Sequence, residues 1–296
     1  MTNESRITPN SEPAERSEFE DRDHLVFPAD IIRPRTPVEV FMAQEVPQTH
    51  VVEADLFARH DGIPAHDQER LHTARIGLIG GGGLNSWVAM GLARSGASML
   101  TIIDGDRVDR TNLSRQFFHG DDRGRTKGIA LARNISGQMV GGGTAVGVGL
   151  SFEDALETYP LSADILVVGV DNNECRLQAV REARRRRIPA VFSMLSHDGM
   201  RCHVFLQGRA PSDACLWCAL PNLPLDDGMR PCVSAIISAC FMAASFTVFF
   251  VHRALMGWGA LPRFNWREGD LTGIAPHRTG LIKKRPDCPV CTGIKE

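Results

Sequence analysis

The sequence lacks an excess of charge of either sign, internal repeats and a recognisable targeting segment. Its 296 residues carry 33 Lys and Arg against 35 Asp and Glu, a formal net charge of −2. Because such a balance gives no global attraction to nucleic acid or to a membrane surface, we expect neither as a partner. The first ten residues, MTNESRITPN, lack the basic-then-apolar pattern of a signal peptide. A cytoplasmic protein is therefore expected.

Long apolar runs are also scarce. The one long uncharged stretch, residues 231–251, reads PCVSAIISACFMAASFTVFFV and contains three Ser, one Thr and two Cys. Its length would permit a membrane span, but its moderate polarity favours a buried helix of a soluble protein. In a reducing cytoplasm, paired cysteines among the eight in the chain indicate metal binding more often than a disulfide.

The composition, 43% hydrophobic and 23% charged, is that of an ordinary globular protein. It excludes collagen, an extended coiled coil and a wholly disordered chain. The first 24 residues carry seven acidic and three basic side chains and almost no large apolar residue. We therefore expect residues 1–50 to be a polar, proline-rich and partly disordered leader, and residues 51–296 to be the folded domain. Residues 25–50 could lie as an extended arm on the domain or on a partner.

Short apolar strands alternate with helical segments from residue 75 onward. Arg75–Ile79 is predicted as a strand, Asn85–Arg94 as a helix and residues 98–104 as a second strand. A helix near Lys127 and apolar runs at residues 164–171 and 188–194 continue the alternation. This pattern predicts an α/β fold with a doubly wound, mostly parallel sheet. Ligands of such sheets bind at the carboxyl ends of the strands.

A glycine-rich turn separates the first of these strands from its helix. Gly80, Gly82 and Gly83 lie in this turn, and Asp104 ends the next strand about twenty residues later. Glycines let the backbone approach a phosphate, the helix N-terminus supplies amide donors, and the carboxylate can accept hydrogen bonds from a ribose. These features alone are as compatible with NAD or FAD as with ATP.

The segment after this strand is more specific. Residues 104–116 read DGDRVDRTNLSRQ, and residues 124–127 read GRTK. This string resembles the ubiquitin-activating-like adenylyltransferases, the MoeB, ThiF and HesA group. The resemblance implies a Rossmann-like sheet with a C-terminal antiparallel extension. It also implies ATP-dependent adenylation of the C-terminal carboxylate of a ubiquitin-like or sulfur-carrier protein or a peptide, followed by transfer to a thiol. A homodimer and a partner sulfurtransferase or conjugating enzyme are implied as well.

The same resemblance suggests roles for individual residues. Asn112, Arg115 and Lys127 would surround the ATP phosphates, Asp104 would hold the ribose, and Gln116 would support the loop or contact phosphate. Cations in these places stabilise the charge that develops when a carboxylate attacks the α-phosphate.

An acidic residue after a later strand completes this nucleotide site. The segment DNNECR begins at Asp171, and by resemblance Asp171 is a Mg²⁺ ligand. A helix N-cap is the alternative interpretation of this aspartate. The chain departs from the family pattern at Asn85, which replaces the last glycine of the usual turn. Since Asn tolerates unusual backbone angles, we expect a shifted contact there and not a lost site.

Two C-x-x-C pairs, Cys215 with Cys218 and Cys288 with Cys291, could supply four thiolates to a tetrahedral Zn²⁺. This spacing predicts a closed structural site that attaches the C-terminal segment to the domain, although a redox pair is the alternative. Cys232 precedes the long apolar helix. By resemblance it can carry the acyl group, but a buried structural role is equally compatible with the sequence.

Two other function classes remain open from the residues. The glycine turn and Asp104 would suit a nicotinamide- or flavin-dependent oxidoreductase, which would leave Arg115, Lys127 and Asp171 unexplained. A catalytically degenerate module that binds a ubiquitin-like protein is the other alternative, against which the intact charged residues argue.

Overall fold

The computed structural model describes residues 39–42, 56–225, 234–257 and 263–293. Within these residues nine strands form one sheet. The strands are β1 Val40–Met42, β2 Arg75–Ile79, β3 Met99–Ile103, β4 Thr144–Val148, β5 Ile165–Val168, β6 Ala190–Leu195, β7 Arg201–Gln207, β8 Trp266–Asp270 and β9 Arg278–Gly280. The helices are α1 Gln68–Thr73, α2 Asn85–Arg94, α3 Lys127–Ser136, α4 Phe152–Thr158, α5 Asn173–Arg186, α6 Leu216–Ala219, α7 Ile237–Met256 and α8 Pro289–Gly293.

The sheet has the strand order β1-β4-β3-β2-β5-β6-β7-β8-β9. Strands β4, β3, β2, β5 and β6 are parallel, whereas β7, β8 and β9 add to β6 in antiparallel fashion. This arrangement confirms the predicted parallel sheet with an antiparallel C-terminal extension. Because the chain moves outward from β2 in one direction and returns to β5 on the other side, the strand order reverses between β2 and β5.

Hydrophobic side chains cover both faces of the sheet, as expected when helices lie on each side. Ile76 and Leu78 of β2 belong to the core cluster that includes residues of α2, α3 and α7. Ile79 belongs to the opposite cluster, which includes residues of α4 and α5. The period of two along β2 therefore distributes its side chains between two cores, so the sheet is buried on both sides.

Helix α7 contains most of the uncharged stretch. It is the one helix in the described ranges long and apolar enough to cross a membrane, and 50% of its most apolar 18-residue stretch is buried. It packs against α2, β6 and β7, so it is a core helix, as predicted. The helix extends beyond residue 251 to Met256 and includes the half-buried residues His252 and Arg253. It stops at Gly257, whose φ of 65° allows its N–H to bond the carbonyl of Arg253.

One short part of the predicted leader lies in the sheet. Strand β1 pairs antiparallel with β4, with Val40 opposite Val148. The carbonyl of Glu39 accepts a hydrogen bond of 3.1 Å from Gly149. This pairing places β1 at the edge of the sheet next to β4, so this part of the arm lies on the domain. The rest of the leader falls outside the described residues.

Candidate active site

A cleft of about 1040 Å³ opens at the carboxyl ends of the parallel strands. It lies where the strand order reverses, which is the usual ligand position in an open α/β sheet. Helices α2, α3 and α5 all begin at its wall, so three positive helix ends face the cleft. The cleft is large enough for a nucleotide and an extended chain end. Its lining includes these predicted residues: Gly80, Gly82, Gly83, Asp104, Asn112, Arg115, Gln116, Lys127 and Asp171.

The glycine turn lies directly against the loop that follows β5. Gly80 has a φ of 86°, and a Cβ there would lie 2.9 Å from Cγ1 of Val170. Both the backbone angle and the space therefore require glycine at this position. The next amide, that of Gly81, donates a hydrogen bond of 2.7 Å to Oδ2 of Asp104. The turn is thus fixed between the ends of β3 and β5.

Asp104 follows β3 and anchors two backbone segments. Besides Gly81, it accepts a hydrogen bond of 2.9 Å from the amide of Asp106 at Oδ1. Burial raises the pKa of the Asp104 carboxyl, and this effect is opposed by the nearby charge of Lys127 and by the two amide hydrogen bonds. Each oxygen keeps a lone pair, so the carboxylate can still accept hydrogen bonds from ribose hydroxyls.

Lys127 is the first residue of α3 and forms an ion pair of 2.9 Å with Oδ2 of Asp106. Its side chain is 13% exposed, whereas that of Asp106 is 76% exposed. Burial lowers the pKa of Lys127, but the charges of Asp104, Asp106 and Asp171 outweigh burial and raise it above the ordinary lysine value. The ammonium group therefore stays charged in the cleft at neutral pH.

Close packing of α3 on the sheet sets the position of this lysine. A Cβ on Gly128 would lie 2.5 Å from the carbonyl oxygen of Val148, and one on Gly147 would lie 2.5 Å from that of Gly128. Both positions are therefore limited to glycine by space. The amide of Lys127 also donates a hydrogen bond of 2.6 Å to the carbonyl of Asp106.

The loop between β3 and α3 carries Asn112 and Arg115. Asn112 is buried, and its Oδ1 accepts a hydrogen bond of 3.0 Å from the amide of Asp109, which closes a short 3-10 helix. Nη1 of Arg115 donates to the carbonyl of Thr111 at 2.9 Å. Asn112 therefore shapes the loop, while Arg115 lies at the cleft wall.

Two residues of α2 that sequence reasoning missed attach this loop to the domain. Oγ of Ser86 accepts a hydrogen bond of 3.1 Å from the amide of Phe117, and Nε1 of Trp87 donates one of 2.9 Å to the carbonyl of Arg115. The first turn of α2 thus positions the backbone of Arg115. No local sequence signal identifies these contacts, because their partners lie about thirty residues further along the chain.

Gln116 is 6% exposed and lies beside the glycine turn. A Cβ on Gly82 would be 3.9 Å from its Nε2. Among the described residues, its buried Oε1 has no hydrogen-bond partner. An unsatisfied buried amide oxygen in a cleft is a position that a bound ligand or an ordered water usually satisfies.

Asp171 lies exposed at the mouth of the cleft, at the end of the loop after β5. Asn172, not Asp171, caps α5: its Oδ1 accepts a hydrogen bond of 2.7 Å from Cys175. The N-cap alternative for Asp171 is therefore wrong. Arg176 fixes this loop through a hydrogen bond of 2.6 Å to the carbonyl of Val170. The carboxylate of Asp171 is thus free of the capping role and near the other charged groups of the cleft.

Three further cysteines of the described residues lie outside the two C-x-x-C pairs. Cys202 and Cys240 are buried, whereas Cys175 is half-buried and lines the cleft. Burial raises the pKa of the Cys175 thiol to about 12, so this thiol is protonated at neutral pH. Cys232, the candidate acyl carrier, lies outside the described residues.

Cys215, Cys218, Cys288 and Cys291 form one cluster, with all four sulfur atoms within 4.8 Å of one another. Individual Sγ–Sγ distances are 3.9 Å for 215–218, 3.6 Å for 215–288 and 3.6 Å for 218–291. A tetrahedron with zinc–sulfur bonds of about 2.3 Å has edges of about 3.8 Å, so these thiols fit Zn²⁺. The separations are too long for disulfides. The amide of Arg285 donates to Sγ of Cys218 at 3.3 Å, which suits a thiolate ligand.

The zinc-type cluster is separate from the cleft. None of its four cysteines lines the cleft among the described residues. Four thiolates would fill the four positions of a tetrahedral site and leave none open for a substrate, and three of the four cysteines are buried. The geometry therefore fits the closed structural site that the sequence predicts.

Comparison with known proteins identifies related chains. The ThiF family model matches residues 57–290. SAMP-activating enzyme E1 of Haloferax volcanii is 24% identical over 252 residues, which cover 80% of this chain and 88% of that protein. The probable adenylyltransferase/sulfurtransferase MoeZ of Mycobacterium tuberculosis is 42% identical over 83 residues, covering 27% of this chain and 21% of MoeZ. The crystal structure of E. coli MccB with ATP shares the fold, with a TM-score of 0.62, 21% identity and coverage of 76% and 69%.

Proposed function

This chain belongs to the ThiF family, and we propose that it uses ATP to adenylate the C-terminal carboxylate of a ubiquitin-like or sulfur-carrier protein, or of a peptide. The observation that carries the proposal is the cleft of this family member. The cleft lies where the strand order of the sheet reverses, and it brings together the glycine turn, Asp104, Arg115, Lys127 and Asp171. A nicotinamide- or flavin-dependent oxidoreductase would leave Arg115, Lys127 and Asp171 unexplained.

The names of the relatives support the substrate class. One relative is a SAMP-activating E1, and another is named as an adenylyltransferase and sulfurtransferase. Ubiquitin-like modifier-activating enzyme 5 of Drosophila melanogaster is 27% identical over 244 residues. Two of these names describe the activation of another molecule, and the third describes adenylyl and sulfur transfer; together with the cleft they support a ubiquitin-like or sulfur-carrier protein as the substrate of this chain.

The residues of the cleft suit the chemistry of carboxylate activation. In this reaction a carboxylate oxygen attacks the α-phosphorus of ATP, the bond to the bridging oxygen breaks, and pyrophosphate leaves. Lys127 and Arg115 would stabilise the negative charge that grows on the phosphate oxygens, while the amides of the glycine turn bind them. Asp104 would orient the ribose. Asn112 would lie beside the ATP phosphates, and Gln116 would support the loop or contact phosphate.

A divalent cation is part of the proposal. Asp171 is exposed at the cleft mouth, and an exposed carboxylate is a ligand that Mg²⁺ accepts together with phosphate oxygens. When bound, Mg²⁺ would neutralise charge on the leaving pyrophosphate. Zn²⁺ would bind the four-cysteine cluster and have no part in the reaction.

The acyl group must then pass to a thiol. Cys232 is the candidate within this chain, and its role stays a prediction because it lies outside the described residues. A separate sulfurtransferase or conjugating enzyme is the other acceptor that we propose. Either thiolate would attack the carbonyl carbon of the adenylate and expel AMP.

An apolar surface on α2 and α7 favours a homodimer. Ile237 is 38% exposed and Phe241 is 46% exposed, and the ring of Trp87 contacts that of Phe241 at 4.6 Å between centroids. Large exposed apolar side chains that lie next to each other mark interaction surfaces more often than single ones do. We propose that a second copy covers this surface. The proposal also includes a cytoplasmic location, where the cysteines stay reduced.

The test is the exchange of labelled pyrophosphate into ATP. Purified protein with Mg²⁺ and ATP is given a panel of carrier proteins that end in Gly-Gly and peptides with free C-termini. We expect exchange with at least one substrate and none when the C-terminus of that substrate is amidated. Nicotinamide or flavin binding without ATP binding would contradict the proposal.

A further inference from the structure

Asn85 replaces the glycine that usually ends the turn, and the structure shows what it does. It is the first residue of α2, with an ordinary helical backbone, and it is completely buried. The tolerance of Asn for unusual backbone angles is therefore not needed at this position. Its Nδ2 lies 2.9 Å from the carbonyl oxygen of Ile79, 2.9 Å from that of Gly80 and 3.2 Å from that of Val167.

These three carbonyls belong to two segments of the chain that meet in the sheet. Ile79 and Gly80 end β2 and begin the glycine turn, whereas Val167 lies in β5. The side-chain amide therefore joins the two strands at the position where the strand order reverses. The turn that would bind phosphate follows β2, and the loop that carries Asp171 follows β5. Asn85 thus connects the backbone of the glycine turn with the strand that leads to the Asp171 loop.

Gly169 provides the space for this amide. A Cβ at position 169 would lie 2.5 Å from Oδ1 of Asn85 and 2.7 Å from its Cγ. The φ of Gly169 is not in the left-handed region, so space and not backbone strain requires glycine here. The side chain of Asn85 therefore requires glycine at position 169.

We infer that Asn85 is a positioning residue of the nucleotide site, which sets the glycine turn against the Asp171 loop by donating its side-chain N–H groups to both strands. The inference rests on the proposed function, because it concerns the same cleft. Asn85 touches no substrate. It acts through the backbone of Gly80 and of the segment from Val167 to Asp171.

The donor character of the amide is the feature that matters. Oδ1 of Asn85 is buried and has no hydrogen-bond partner within the described part of the chain, whereas Nδ2 faces three acceptors. An aspartate has almost the same shape but would place an oxygen against these carbonyl oxygens. Asn85→Asp therefore removes the hydrogen bonds and adds repulsion while it keeps the volume.

The first experiment measures the binding of MgATP by titration calorimetry. We expect Asn85→Asp to weaken MgATP binding about tenfold or more, since small displacements in a binding site have large effects. Asn265→Asp is the matched control. Nδ2 of Asn265 donates to the carbonyl of Ile282 at 3.0 Å, away from the cleft. This control should lower the melting temperature and leave MgATP affinity unchanged.

The second experiment uses the contact with Gly169 and does not require the aspartate variant to fold. Gly169→Ala should lower both the melting temperature and MgATP affinity in the wild-type background. In the Asn85→Gly background, where the space is free, the same substitution should have little further effect on either.

The outcomes distinguish a failure of the proposed function from a failure of the inference about Asn85. If wild type binds no MgATP, the proposed function fails and the inference fails with it. If wild type binds MgATP and Asn85→Asp binds it equally well, the inference alone is overturned. An equal effect of Gly169→Ala in both backgrounds would also overturn it, because the two positions would then be independent.

Discussion

Removal of zinc from the four-cysteine cluster should destabilise the protein strongly. Cys215 and Cys288 are 73 positions apart in the chain, and α8 with its flanking residues is attached to the domain at this cluster. A cross-link that closes a loop of this length lowers the entropy of the unfolded chain. This loss stabilises the folded state by about 4 kcal/mol at 25 °C. Metal clips act in the same way as other cross-links.

This free energy converts into a measurable shift. For a domain of this size, 1 kcal/mol corresponds to about 2–4 °C in melting temperature, so chelation should lower it by about 10 °C. Buried thiols that lose their metal add to this effect, because their ligand bonds are part of the folding free energy. The measurement is calorimetric melting with and without a chelator, together with zinc content by elemental analysis.

Cysteine variants provide the specific test. The wild-type protein should contain about one zinc per chain. Cys215→Ser and Cys288→Ser should each have a lower zinc content and a lower melting temperature. Cys202→Ser is the control, because this buried cysteine of β7 lies outside the cluster. This variant should keep its zinc even if its melting temperature is lower. Full zinc content in both cluster variants, or melting that a chelator does not change, would refute the reasoning.

Three other predictions concern the reaction and the assembly. Arg115→Ala, Lys127→Ala and Asp171→Ala should each slow carrier-dependent pyrophosphate exchange about 100-fold or more, and wild-type rates in all three would contradict the assigned roles. Cys232→Ala should keep the exchange and lose any thiol-sensitive carrier adduct on a non-reducing gel; an adduct that persists would exclude Cys232 as its site. Phe241→Asp should shift the protein from dimer to monomer in sedimentation, because it places a charge in the exposed apolar surface, and an unchanged dimer would place the interface elsewhere.

The elements nearest the glycine turn could be predicted from sequence. Strand β2 and helix α2 begin and end at the expected residues, Arg75–Ile79 and Asn85–Arg94. The period of the apolar residues and the four glycines between them define these bounds locally. The gathering of Asp104, Lys127 and Asp171 in one cleft also follows from the fold, because the carboxyl ends of parallel strands meet at one edge.

The remaining features depend on contacts between distant segments. Trp87 bonds the backbone of Arg115, and β1 pairs with β4 across about a hundred residues. Neither contact leaves a periodic signal in the sequence. The contacts of Asn85 are a further example, since its side chain bonds carbonyls of two chain segments that only the folded sheet brings together.

The most direct measurement is the identity of the products formed from ATP. Protein, MgATP and an accepted carrier or peptide are incubated with hydroxylamine, which traps an acyl-adenylate, and the products are identified by mass spectrometry. Adenylation predicts AMP, pyrophosphate and a hydroxamate at the C-terminus of the substrate, all lost in Lys127→Ala. Release of ADP and phosphate, or AMP without a modified C-terminus, would contradict the assignment of this cleft to carboxylate adenylation.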